Sequence, residues 1–289
     1  WQRLYQRDIN GIFKISRQAE KIMNSEKQDP VEQDSLRGQL AFFKGYLAFN
    51  SNNYTEAVKF FAKALESIPD PWSYMRGQAV FYQGLSMQAC DNARNAAAFL
   101  QQSYLDLDNK DSNYAIRHLF ALALIYLQDG DLKLSKHYGR LLLDKAGANK
   151  LVHQEGYALA ILGYINYQWN RLDLAEQRNQ ELYKMRNFTA TSLALHGYIG
   201  LAQALQAQGK IEEALEMIDE LIDRELDLFG QVTGWAQVTR LRLLTSRNQW
   251  KEAEQWADSY MMPFADTPLY PNLEDPQIFK ARVLIARND

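Results

Sequence analysis

The sequence predicts an all-α protein, an α-α superhelix of stacked helix hairpins repeating about every 39 residues. Three observations predict it. First, Gly45, Gly84, Ala123, Gly163, Ala202 and Leu241 are each followed twelve positions on by a small residue. Those second members are Ala57, Ala96, Ser135, Ala175, Ala214 and Ala253, and their successive spacings are 39, 39, 40, 39 and 39. Second, a polar turn lies between the members of a pair: Ser51-Asn52-Asn53, Asp129-Gly130-Asp131, Trp169-Asn170-Arg171, Gln208-Gly209-Lys210 and Arg247-Asn248-Gln249. Gly and Asn tolerate the left-handed backbone that ends a helix. Third, the flanking segments carry helical periodicity, as in Ile211, Leu215, Ile218 and Leu221 opposite Glu212, Glu213, Glu216 and Asp219, with no strand-like alternation of comparable length.

The elements follow in order. Residues 1–24 read as a lone N-terminal helix with Ile9, Ile12, Phe13, Ile15, Ala19 and Ile22 on it. Residues 35–262 hold six hairpins, each a helix A, a tight turn and a helix B. A large apolar residue follows most turns: Tyr54, Leu132, Leu172, Ile211 and Trp250. The second unit departs, with Cys90-Asp91-Asn92-Ala93 at its turn. Residues 263–276 form a proline-rich loop holding Pro263, Pro268, Pro271 and Pro276, four of the seven prolines. Residues 277–287 then repeat the pattern of Val238 to Asn248 and read as helix A of a truncated further repeat. The whole is a single array in which each hairpin buries its stripe only against its neighbours. The small positions belong where helices A and B cross closely, because a longer side chain there would push the axes apart. The chain opens at Trp1 without a methionine, and both ends look cut, so the expectation is that more protein lies beyond each.

Composition narrows the function. Hydrophobic residues make up 47% and charged residues 23% of the 289, an ordinary folded composition. A net charge of −3 argues against broad nucleic-acid contact, which needs a basic surface. One cysteine, Cys90, allows no intrachain disulfide and fits a reducing, cytoplasmic setting. There is no apolar run long enough to span a membrane and no signal-peptide pattern.

Gly45, Tyr54, Ala57, Phe61, Ala64 and Pro69 stand at tetratricopeptide spacing, so the first unit resembles that family, although the usual period is 34. The segment from Arg37-Gly38-Gln39 through Glu56-Ala57-Val58, Ala64-Leu65 and Pro69 to Arg76-Gly77 is similar to the helical region of large ATP-dependent LuxR-family transcription regulators. So is Leu162-Gly163-Tyr164 with Tyr167-Gln168-Trp169-Asn170-Arg171-Leu172-Asp173-Leu174-Ala175-Glu176. The resemblance spans roughly residues 15 to 262. It implies a regulator with an N-terminal nucleotide switch, this helical sensor and a C-terminal helix-turn-helix, so DNA would be met only through a domain absent from this chain. No G-x-x-x-x-G-K-[ST] phosphate loop occurs here.

In tetratricopeptide arrays the A helices line a concave groove. That register puts Gln39, Phe42 and Tyr46 inward in the first unit, then Gln78, Phe81 and Gln88, then Arg117 and Phe120. The fourth unit offers Tyr157, Tyr164, Tyr167 and Gln168, followed by His196, Gln203 and Gln206, and finally Trp235 and Arg242. Aromatic faces beside amide and guanidinium donors suit a sugar or an amphipathic peptide. The competing reading makes Phe42, Phe81 and Phe120 packing residues between A helices. A chaperone-type carboxylate clamp needs a lysine and an asparagine at the fifth and ninth A positions, where this chain has residues such as Phe42 and Tyr46, or Ile199 and Gln203.

No cofactor, metal or catalytic site is expected. His118, His137, His153 and His196 lack ligand spacing. The stretch Asp106 to Asp111 lacks the glycine and glutamate of a calcium loop and reads as an inter-repeat turn, its acids capping the next helix. Cys90 reads as a free structural thiol. The chain is therefore expected to be non-catalytic, a sensor for a small effector or peptide. The rivals are a constitutive protein-binding scaffold and self-association through the array ends, where Ile278, Phe279, Val283 and Leu284 are apolar.

Overall fold

A computed structural model of the chain describes residues 9–25, 30–90, 92–189, 191–261 and 274–287. Among them are fourteen α-helices and no strand. In chain order they are α1 (Ile9–Ser25), α2 (Pro30–Asn50), α3 (Tyr54–Ser67), α4 (Ser73–Ala89), α5 (Ala93–Leu105), α6 (Asn113–Gln128) and α7 (Leu132–Ala148). There follow α8 (Val152–Gln168), α9 (Leu172–Lys184), α10 (Thr191–Ala207), α11 (Ile211–Phe229), α12 (Gly234–Ser246), α13 (Lys251–Ser259) and α14 (Pro276–Arg287). Two compact units divide the chain, residues 1–138 and 139–289, with the boundary inside α7.

The turns form as their residues dictate. Asn52, Gly130, Asn170, Gly209 and Asn248 take φ values of 56°, 82°, 54°, 81° and 63°. Amides three residues past the helix then reach back five positions: Asn53 N to Ala48 O at 2.9 Å, Arg171 N to Asn166 O at 2.9 Å, Lys210 N to Leu205 O at 2.9 Å and Gln249 N to Leu244 O at 3.1 Å. These bonds satisfy carbonyls that the helix end would otherwise leave open. Asp91, in the deviant second turn, lies outside the described residues.

The crossings obey the twelve-residue register. Ala57, Ala96, Ser135, Ala175, Ala214 and Ala253 are all 0% exposed. In the first unit a Cβ on Gly45 would lie 2.8 Å from the Phe61 ring, and one on Gly84 would lie 2.9 Å from Leu100 Cδ1. Ser135, the one non-alanine, donates its hydroxyl to Ala123 O at 2.7 Å, so its added oxygen is satisfied by its own register partner. Around this frame pack Ile12, Phe42, Tyr46, Phe61, Ile68 and Met75, with Phe61 stacked on Tyr82 at 5.8 Å. Helix α1 joins through this core and through Glu20, which pairs with Lys44 of α2 at 2.6 Å. Arg76 donates to Leu65 O at 3.0 Å and Ile68 O at 2.6 Å, a cation on the C-terminal end of α3.

In the second unit the crossing of α8 with α9 is filled by Asn179, 2% exposed, whose Nδ2 donates to Ala175 O at 2.9 Å. A Cβ on Gly163 would come within 2.7 Å of Asn179 Oδ1, and one on Gly200 of α10 would come closer still. Two glycines on neighbouring A helices thus make room for one buried amide. Farther on, Tyr198 and Tyr183 both donate to Glu220, each at 2.7 Å, and Arg186 Nε stands 3.4 Å from the same carboxylate. Burial works against that charge, but the two hydroxyls and the arginine hold the Glu220 carboxyl below its usual range. This clasp ties α9, α10 and α11. Glu225, 2% exposed, accepts from Thr233 N at 2.8 Å and Thr233 Oγ1 at 3.0 Å and so fixes the entry to α12.

Three sequence expectations shift in detail. The first hairpin begins at Pro30 rather than 35, because proline suits the first turn of a helix, where its missing N–H is not needed. For the same reason Pro276 opens α14 instead of closing the loop, while residues 263–273 of that loop lie outside the described residues. In the Asp106–Asp111 turn the cap of α6 is Ser112, accepting from Ala115 N at 3.1 Å, and not an acid. The cation of that turn is internal: Lys110 Nζ donates to Tyr104, Leu105 and Leu107 carbonyls at 2.5 to 2.7 Å.

Two stability tests follow. Gly163→Leu or Ala175→Leu overpacks the crossing and lowers unfolding free energy by about 1–3 kcal/mol. Gly163→Ala also destabilises, but less in an Asn179→Ala background, and additive thermal melts in that double-mutant cycle would contradict the crossing geometry. His118, 1% exposed, has its pKa pushed down to about 4, first by burial and further by Lys110, against a backbone bond to Tyr114 O at 2.9 Å. A depressed folded pKa means stability that is full above about 6.5 and lost as pH falls toward 4. The neutral imidazole then contributes about 2 kcal/mol of the stability lost between pH 7 and pH 5. Denaturant titrations at both pH values should show that loss reduced in His118→Leu.

Candidate functional site

The A helices of the second unit carry equivalent positions one repeat apart. Tyr157, His196 and Trp235 stand at one register position of α8, α10 and α12, and Tyr164, Gln203 and Arg242 at another. These helices are sequential neighbours, α8 touching α10 and α10 touching α12. Their side chains divide by burial. His196 and Gln203 are buried at 5% and 7% exposure, while Tyr157, Tyr164, Tyr167, Trp235 and Arg242 are half-buried and Gln168 is exposed. Tyr157 leans on Leu159, Ala160, Leu182 and Leu193, and Trp235 on the core around Tyr198 and Leu201. The Trp235 indole N–H is buried with no hydrogen-bond acceptor. Burial, then the neighbouring Tyr167, raises the Tyr164 pKa, so the Tyr164 hydroxyl stays a neutral donor at physiological pH.

Arg242 organises the polar end of this row. Its Nη2 donates to Gln206 Oε1 at 3.5 Å, and its Nη1 lies 3.8 Å from Glu274 Oε2. Glu274, with a side chain 12% exposed, also pairs with Arg282 of α14. The row thus presents four half-buried rings, amides, a guanidinium and its counter-carboxylate. Such a set binds neutral, hydroxyl-rich or amide-rich ligands: rings stack on apolar faces and the fixed polar groups orient.

In the first unit the register residues part company. Tyr46, 6% exposed, belongs to the core and meets Tyr82 edge-on at 5.3 Å. Phe81 and Phe120, each 7% exposed, stack at 5.1 Å and 11°, and Phe42 is fully buried. Gln88 Nε2 donates to Ile125 O at 3.2 Å. These residues bind α2, α4 and α6 together and offer a ligand little surface. Arg117 is different: half-buried, its guanidinium lies over the Tyr74 ring at 4.7 Å.

The histidines are dispersed. His118 is core, His196 is buried, and His137 and His153 are exposed on separate helices. Among the described residues no group of three or more His, Cys, Asp or Glu is placed to hold a metal. No described helix is long and apolar enough to cross a membrane. The exposed Cys90 has its sulfur 3.8 Å from Thr55 Oγ1.

Sequence reasoning missed Glu274 and Tyr74. Glu274 lies 39 residues after Trp235, so the register carried one repeat farther would have found it inside the presumed loop. Tyr74 lies one helical turn before Gln78, and no repeat partner signals it.

A family model described as the MalT-like TPR region matches residues 38–289. A curated relative, the HTH-type transcriptional regulator MalT of Vibrio campbellii, is 21% identical over an alignment that takes in 100% of this chain and 32% of the relative. The chain therefore spans about a third of that relative's length. Among solved structures, a tetratricopeptide repeat protein of Parabacteroides merdae superposes with a TM-score of 0.57 at 14% identity, covering 87% of each chain. The Rap conjugation gene regulator of plasmid pLS20, in complex with the Phr* peptide, superposes with a TM-score of 0.55 at 20% identity, covering 91% of this chain and 77% of that one. At those identities the likeness concerns the fold, which is the all-α helical-repeat class predicted from the 39-residue register.

Proposed function

Because the chain belongs to the MalT-like TPR region family, we propose that it is the non-catalytic sensing region of a cytoplasmic LuxR-family transcription regulator, whose A-helix row in the second unit receives a small effector. The observation that carries this reading is the row itself: Tyr157, Tyr164, Tyr167 and Trp235 half-buried beside Gln168, Gln206 and an Arg242 that already faces the Glu274 carboxylate. A guanidinium that already faces a carboxylate favours an uncharged polar ligand, and a sugar is the simplest that combines an apolar ring face with a hydroxyl edge. His196 and Gln203, buried beneath, set the floor of the row. Sensing requires that the effector bind two states of the regulator with different affinity. DNA contact belongs to another part of the parent regulator. A second reading, a peptide or protein segment in the same row, is favoured by the peptide complex of the pLS20 Rap regulator, which shares the fold.

Calorimetric titration of the chain with mono- to trisaccharides, and separately with short peptides, tests both readings. One class should bind, and Tyr164→Ala and Trp235→Ala should each weaken it by about tenfold or more while melting close to the parent, as expected on losing a buried aromatic contact. Equal binding by both variants would remove the row from consideration.

A further inference from the structure

Helix α11 runs past its neighbours. The flanking B helices α9 and α13 end at Lys184 and Ser259, whose register equivalents on α11 are Asp223 and Glu220, yet α11 continues through Phe229. Its core-facing stripe continues with it. That stripe is sealed at Ala214, Ile218, Leu221 and Glu225, and helical spacing carries it on to Leu228 and Phe229, each 54% exposed. Phe188, 76% exposed, follows Asn187 in the loop after α9. Arg224 holds that loop against α11, donating to Asn187 Oδ1 at 3.0 Å and to Arg186 O at 3.1 Å. Large apolar side chains left open together on one helix end mark a surface that another chain closes.

The charge on this extension runs against the helix. The C-terminal end of a helix carries partial negative charge and favours cations. Helices α7 and α9 comply, with Lys145 and Lys184 in their last turns. Helix α11 has no base in its last turn; it carries Asp227 there and Asp223 one turn earlier, and like charges at that spacing repel. Of the acids beside them, Glu220 is met by Arg186 and Asp219 by Arg240, but neither Asp223 nor Asp227 has an ion-pair partner among the described residues. Glu220, Asp223, Arg224, Asp227 and Leu228 line an open pocket of about 370 Å³, three carboxylates against one guanidinium that the loop already occupies. Exposed apolar side chains and unpaired acids thus coincide on one short stretch, and a partner that is both apolar and basic relieves both.

We propose that the C-terminal extension of α11 docks a cationic amphipathic helix of a partner protein, its apolar side chains on Leu228 and Phe229 with Phe188 at the rim, and its lysines or arginines on Asp223 and Asp227. Along the rest of its length α11 packs on the A helices α10 and α12, so a helix is the kind of element its apolar stripe accepts. The chain's own residues 263–273 do not match the charge, since they hold Asp266 and no lysine or arginine. An anionic membrane surface is repelled by the same aspartates. The surface belongs to a helix B and stands apart from the A-helix row, so this inference does not rest on the effector reading.

The test follows the anisotropy of fluorescent peptides of about 18 residues, long enough to form a helix, on the full 289-residue chain. One peptide presents leucines on one face and lysines on the other; a second has glutamate for lysine, and a third has serine for leucine. The first should bind about tenfold tighter than either of the others, and rising salt should weaken it. Asp223→Asn with Asp227→Asn should lower that affinity about tenfold, as should Leu228→Ser with Phe229→Ser. The aspartate variant should melt no lower than the parent, because two acids leave a helix C-terminal end. Asp173→Asn with Glu213→Gln, which removes exposed acids from the opposite ends of α9 and α11, should bind as the parent does. Equal binding of the lysine and glutamate peptides, full binding by either double variant of the extension, or an equal loss in the Asp173 and Glu213 control would each overturn the proposal. The comparison of peptides on the unmodified chain decides the matter even if a variant fails to fold.

Discussion

Everything in this fold depends on how much side-chain volume is allowed where helix A crosses helix B. Each crossing joins the first small position, its partner twelve residues later, and a third residue sixteen later. The third residue compensates the first: Phe61 against Gly45, Leu100 against Gly84, Asn179 against Gly163. Ile218 lies in the same core as Ala202. The last hairpin inverts the arrangement, with Leu241 at the first position and Ala257 at the third, both in one core. In five of the six crossings one bulky group sets the distance between the helix axes, because a close-packed interior tolerates neither a second such group nor a void; the third hairpin, with Ala123, Ser135 and Gly139, has none at these positions. Leu241 is therefore no flaw in the repeat: in that hairpin the bulky group stands at the first position and the small one, Ala257, at the third.

That constraint leaves other positions of the same helices at liberty. At 57, 96, 135, 175, 214 and 253 the side chain barely changes, since all six are sealed. At 39, 78 and 117 the same period yields two glutamines and an arginine, and at 157, 196 and 235 a tyrosine, a histidine and a tryptophan. Apart from the buried His196, these side chains are half-buried, so packing constrains them less than it does the sealed crossings. The acids collect elsewhere, with Glu212, Glu213 and Glu216 exposed on helix B of the fifth hairpin.

The fold was legible because its signal is periodic and local: five left-handed turns and six sealed crossings can be read from spacing alone. The site was less so. An A helix is covered both by its own B helix and by neighbouring A helices, so most of its circumference is apolar and the exposed strip is narrow. Register could place Tyr46, Phe81 and Tyr164 inward, but could not tell that the first two close the core while the third stays half-open; that depends on neighbours 36 to 39 residues away, such as Tyr82 and Phe120. The clasp of Glu220 by Tyr183 and Tyr198, and the pairing of Arg242 with Glu274, likewise join residues from different hairpins and leave no pattern within one.

The two A-helix faces differ in a way that follows from one carboxylate. Arg117 and Arg242 are both half-buried arginines, three repeats apart at neighbouring register positions. Arg242 is met by Glu274, which the chain delivers just before α14 and which Arg282 shares, so its charge is partly compensated. Arg117 is met by an aromatic ring, which attracts the cation without cancelling its charge. A neutral ligand that stacked on Tyr164 would lose little by leaving the Arg242–Glu274 pair intact, whereas an anion brought there would have to displace Glu274 first. At Arg117 nothing needs displacing. What separates the two arginines is whether a carboxylate of the described protein stands against the charge.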